Sequence, residues 1–185
     1  MPFGSLWLPV VVSTVAVFLA SSVLHMVLKY HRADFRPLAD ESEVAPALRK
    51  AAPSPGLYVL PYCEMSQMKD PAFIKKYEEG PVALLAVMKS GVPNMGKNLG
   101  QWFLFCFLVS FTVGYLARHT LGFDTDPGTI LQITGAVAFV GYGYGNFQAS
   151  IWHGVPWSNS LRALLDAAVY AIVTGLVFRF LWPES

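Results

Sequence analysis

Five side chains stand out because their chemistry is costly where the chain puts them. His25, Gln101, Tyr142, Asp166 and Tyr170 all fall within long apolar stretches. An ionisable group in such surroundings needs a partner, and by default it marks a binding or proton-handling site. Asp166 supplies the acceptor, and His25 is its imidazole partner. Gln101 adds an amide, while Tyr142 and Tyr170 add phenols that donate and accept. Such a set can hold a polar ligand or pass on a proton. It offers no catalytic residue: Ser160, His153 and Asp166 are close in sequence but point different ways from a loop and a helix. A plainer pairing competes with the site. Arg162 and Asp166 are i,i+4 neighbours that can pair on one helix surface, and His25 can bond a nearby serine or tyrosine.

The elements that must position these groups are four apolar stretches, Leu6–Leu28, Leu99–Ala117, Thr129–Asn146 and Leu161–Trp182. A helix needs about 20 largely apolar residues to cross a hydrocarbon core. With 54% hydrophobic and 14% charged residues, the chain reads as an integral membrane protein. The first stretch runs past the length of a signal-peptide core and has no Lys or Arg before it, so it is expected to remain as a membrane helix. Lys29, Arg32 and Arg36 on one side of the long loop, with Lys89 and Lys97 on the other, place that loop in the cytoplasm and both termini outside. At about 1.5 Å per residue, His25 and Asp166 then lie roughly 5–6 Å inside the inner interface. Gln101 and Tyr142 arrive near the same level, and Tyr170 lies one turn deeper. The segment Ile151–Trp157, with its two tryptophans, reads as an interfacial re-entry loop.

The expected fold is therefore an all-α membrane protein of four transmembrane helices, one plus three, with a small cytoplasmic α+β loop subdomain. Its parts are the first helix within residues 1–28, the loop subdomain 29–98 and the three-helix region 99–185. Within the loop, Asp40 caps a helix reaching about Ala51, and Pro53-Ser54-Pro55-Gly56 breaks it. Leu57–Leu60 reads as a strand. Asp70-Pro71 starts a second helix ending at Gly80-Pro81, and Val82–Met88 reads as a second strand. In lipid, small residues mark the faces where helices approach closely. Ala163, Ala167, Ala171 and Gly175 form one such stripe, and Gly141 with Gly145 forms a single GxxxG.

Other chemistries find little support. A net charge of +1 argues against a nucleic-acid partner. Cys63 and Cys106 cannot build a disulfide framework and read as free thiols. His25, His31 and Asp34 lack the spacing of a closed metal site, and Cys63, Met65 and Met68 lack further soft ligands, so neither a metal nor a cofactor is expected. The glycine-rich Asn94–Gly100 matches no phosphate-binding fingerprint.

The segments Trp152-x-Gly154-x-Pro156-Trp157, Leu181-Trp182-Pro183, Leu24-His25-Met26, Tyr30-His31-Arg32 and Pro93–Lys97, together with Asp166 and Tyr170, resemble a group of small bacterial four-helix inner-membrane proteins with no assigned activity. The resemblance implies a multi-pass protein of the bacterial inner membrane and transfers no reaction. The expected function is a non-catalytic binding or accessory subunit, in contact with membrane lipids and with other membrane subunits or further copies of itself. Two alternatives are a small transporter or proton-coupled binding protein using the Asp166/His25 layer, and a membrane enzyme acting on lipid or quinone.

Overall fold

The computed structural model describes residues 3–52 and 54–184; Pro53 of the expected breaker lies outside them. The chain divides into two compact units. One combines the residues up to Phe35 with those from Asn94 onward, and the other is Arg36–Pro93.

The first unit is helical. It contains α1 (Trp7–Met26), a 3-10 turn at Lys29–Asp34, α4 (Met95–Thr120), α5 (Pro127–Gly143), α6 (Gly145–Trp152) and α7 (Trp157–Phe180). Three helical segments, Gly4–Met26, Met95–Thr120 and Trp157–Phe180, are long and apolar enough to cross a membrane. The third apolar stretch yields only the 17 residues of α5, short of the roughly 20 that a span requires.

Local chemistry accounts for the helix ends. Asn94 starts α4 by accepting from the Lys97 amide at 3.0 Å. Asp126 starts α5 by accepting from the amides of Gly128 and Thr129, with Pro127 in the first turn. These caps satisfy donors that have no partner within their helix. Inside α1, Ser13 and Thr14 both donate to the Val10 carbonyl, at 3.1 and 2.8 Å. Their hydroxyls are thereby satisfied within an apolar helix.

Small residues then set how closely the helices pack. A Cβ on Gly175 would stand 2.9 Å from the Leu131 carbonyl oxygen, and one on Gly135 3.4 Å from that of Ala171. The α5 and α7 backbones thus meet where the sequence places its small stripe. Ala167 and Ala171 are buried and Ala163 is half-buried. Gly141 lies against Val109, while Gly145 has open space around it and is no packing position. Val10, Val17, Val113, Ile130 and Phe178 fill the core between the helices.

Of the expected Ile151–Trp157 loop, residues 153–156 are irregular, while its ends belong to helices. Ile151 and Trp152 belong to α6, which has no breaker before His153 and Gly154. Gly154 takes φ +67°, a left-handed conformation natural to glycine, and the chain reverses into α7. Ser160 donates to the Asn146 carbonyl at 2.9 Å and lies 2.6 Å from the Ser150 hydroxyl, fixing α6 to α7.

The second unit contains α2 (Glu41–Ala51), β1 (Gly56–Leu60), a 3-10 turn at Met65–Gln67, α3 (Pro71–Glu79) and β2 (Ala83–Val87). Asp40 and Asp70 cap α2 and α3 as their positions predict. The strands pair antiparallel, with Gly56 opposite Val87 and Leu60 opposite Ala83. Cys63 of this unit is half-buried and Cys106 of α4 is fully buried; both are free.

Candidate functional site

The site is made where the chain leaves α1 and folds back. After Met26, Val27 keeps a helical conformation and Leu28 is extended, and the chain then tightens into the Lys29–Asp34 turn. That turn brings Tyr30, His31 and Asp34 against the first half of α7, which carries Asn159, Arg162 and Asp166. Asn159 holds the turn by donating to the Asp34 carbonyl at 3.1 Å.

Asp166 is the hub. Only 5% exposed, it accepts from the Tyr30 hydroxyl through Oδ1. Its Oδ2 lies 2.8 Å from His31 Nε2 and 3.7 Å from His25 Nε2. His31 Nδ1 stands 2.6 Å from Asp34 Oδ2, and Arg162 donates to Asp34 Oδ1 at 2.5 Å. His25 Nδ1 stands 3.0 Å from the Ser21 carbonyl oxygen. The two imidazoles lie parallel, with centroids 4.5 Å apart and planes at 5°. Since Ser21 O and Asp34 can only accept, the Nδ1 of each ring carries a proton and each Nε2 is turned toward Asp166; Asp166 also only accepts, so His31 Nε2, 2.8 Å away, donates to it as well.

The electrostatics follow from these partners. Burial pulls the His31 pKa down, but the hydrogen bond to Asp34 and the charge of Asp166 outweigh it and raise it above the ordinary histidine value. Burial pushes Asp34 up, yet His31 and Arg162 bring it below the usual carboxylate range. Tyr30 is raised, first by burial and then by the Asp166 carboxylate it bonds. His31 is thereby held toward its positive form between the Asp34 and Asp166 carboxylates.

Of the five sequence-predicted residues, this arrangement joins only His25 and Asp166 directly. Tyr142 and Tyr170 pack edge-on at 5.2 Å and share an aromatic group with Trp102. The Tyr142 hydroxyl donates to the Cys106 carbonyl at 3.4 Å, and the buried Tyr170 hydroxyl has no partner among the described residues. Gln101 is exposed, and its neighbour Trp102 turns inward to donate to Ser21 Oγ at 2.8 Å. The surface pairing of Arg162 with Asp166 does not form. Arg162 reaches Asp34 instead, because the folded-back turn offers it a carboxylate that leaves Asp166 to His31 and Tyr30.

Tyr30 and Asn159 complete the cluster without having been read as site residues, and His31 and Asp34 enter it although their spacing from His25 suggested no closed site. The usable signal is the His31-x-x-Asp34 pair, three residues apart just beyond an apolar stretch. Beside His25 lies a hollow of about 480 Å³, lined by Ser21, Ser22, Met26, Met95, Leu99 and Trp102. Comparison with family models, curated proteins and solved structures gives no match.

Proposed function

We propose that this chain is a multi-pass protein of the bacterial inner membrane that serves as a non-catalytic binding or accessory subunit, with the Asp166 cluster as its ligand site. In this reading α5 with α6 makes the fourth crossing, the cluster faces the cytoplasm, and the Arg36–Pro93 unit lies on that side. The positive charges at Lys29, Arg32, Arg36, Lys89 and Lys97 support the orientation. The observation that carries the site is Asp166 itself, a nearly buried acid in the first half of an apolar helix, met by one phenol and two imidazoles. A carboxylate so placed is expensive unless partnered, and its surroundings are arranged for a positive guest.

The accessory role draws on the second unit, where Leu57, Tyr62 and Met65 are 64%, 77% and 88% exposed. Apolar side chains presented in this way favour contact with another subunit. A second reading, a transporter or an enzyme meeting its lipid or quinone in the bilayer, draws on the hollow beside His25.

The test is gentle purification from the native membrane, for the wild type and for Asp166→Asn and His25→Ala, with mass spectrometry of everything retained. The expected result is a stoichiometric companion in the wild type, reduced at least about tenfold in both variants. An unchanged set of companions in correctly folded variants would remove the cluster from the function.

A further inference from the structure

We propose that His25, His31 and Asp166 bind one divalent first-row transition-metal ion, an inference that rests on the reading of this cluster as a ligand site. The three donor atoms, His25 Nε2, His31 Nε2 and an Asp166 carboxylate oxygen, lie within 4.8 Å of one another. Around an ion with bonds of about 2.0–2.2 Å, neighbouring ligand atoms stand about 2.8–3.1 Å apart in an octahedral site and about 3.3–3.6 Å apart in a tetrahedral one. The His31–Asp166 separation of 2.8 Å is close to the octahedral spacing, and the His25–Asp166 separation of 3.7 Å needs a modest closing to reach it.

What distinguishes the trio from an ordinary ion pair is how the far side of each ring is held. A metal-binding imidazole characteristically gives its other N–H to a carboxylate or a backbone carbonyl, which fixes the tautomer and aims the lone pair. Both forms occur here, with Asp34 behind His31 and the Ser21 carbonyl behind His25. Arg162 balances Asp34, and Tyr30 occupies Oδ1 of Asp166, leaving Oδ2 toward the rings. Two imidazoles and a carboxylate oxygen then face one point, and one divalent ion satisfies all three as it displaces the Nε2 proton of His31. The rings are parallel, so they do not yet share a plane with a common ion. Loading tilts His25, whose side chain is 50% exposed, about its hydrogen bond to the Ser21 carbonyl. Two nitrogens and one oxygen suit a borderline metal of the zinc or iron(II) kind and leave positions open for water or a ligand. The hollow lined by His25 adjoins them.

The experiment uses the full chain in detergent micelles, stripped of metal and then titrated with Co²⁺ and Zn²⁺. The expected result is one ion per chain, a visible Co²⁺ spectrum of a nitrogen–oxygen site, and at least tenfold weaker binding in His31→Ala and His25→Ala. His119→Ala and His153→Ala, outside the trio, keep wild-type binding. His25→Ala serves as the decisive variant should Asp166→Asn fail to fold, because its side chain is half exposed. Absence of binding, or binding unchanged in both His25→Ala and His31→Ala, overturns the metal. If metal fails while Asp166→Asn still loses the companion found on purification, the cluster remains a ligand site for something else. If neither responds, both readings fall.

Discussion

Asp34 lies outside the apolar helices and meets α7 through Asn159 and Arg162, yet it determines how His31 faces Asp166. Its Oδ2 selects the protonated nitrogen of His31, and its Oδ1 takes the Arg162 guanidinium. Asp34→Asn preserves shape but removes the charge that holds both partners. Cobalt affinity is expected to fall about 10–100-fold, with helical content by circular dichroism unchanged; an unaltered affinity would detach Asp34 from the site. The sequence exposed Asp166 and His25 because polarity inside an apolar stretch is an anomaly. His31 and Asp34 follow Lys29 and precede Arg36, where charged residues are ordinary. Their role depends on the turn folding back onto α7, and nothing local in the sequence encodes that contact. The same contact explains why the i,i+4 neighbours Arg162 and Asp166 part company.

The helices divide the labour between close approach and positioning. α5 and α7 meet backbone to backbone at Gly175 and Gly135, where neither chain can retreat from an added side chain. Gly175→Val is expected to cost roughly 1–3 kcal/mol through overpacking, seen as a lower melting temperature in detergent, whereas Gly145→Ala meets open space and leaves it unchanged. The alanine stripe on α7 was visible in the sequence because its four-residue spacing is a property of one helix; Gly135 was not, because its partner carbonyl belongs to another. Asp126 gives an independent check on α5. The Thr129 hydroxyl, then the Thr129 and Gly128 amides, hold its carboxyl below the usual range. A lowered folded pKa means that the stabilising contribution is present above the unfolded value, near 3.8, and is lost as pH falls through the folded one. Asp126→Asn does not titrate, so the melting-temperature advantage of the wild type over this variant should shrink below that pH.

Across the whole molecule the two units differ in how much they bury. The helical unit contains side chains that are fully enclosed, Phe178, Ile130, Val10 and Val17 among them, whereas Ala52 is the buried apolar residue described in Arg36–Pro93. A two-stranded sheet with so little beneath it opens easily. Amide exchange in β1 and β2 is expected to be faster than in the middle of α7 by orders of magnitude, and equal protection would point to a cover over the sheet. Its elements were nonetheless readable residue by residue, since Asp40, Asp70-Pro71 and the bounded apolar runs are local signals. The unit's first boundary was less so: the turn at Lys29–Asp34 looks like the start of a loop and belongs with the helices. The unequal settings of the two thiols give this molecule a built-in compass. Cys106 is sealed inside α4, so a membrane-impermeant maleimide reacts with Cys63 alone. Vesicles of known sidedness would then report, on the unaltered protein, which compartment the Arg36–Pro93 unit occupies: labelling confined to inverted vesicles places it in the cytoplasm, and labelling of intact cells turns the whole topology over.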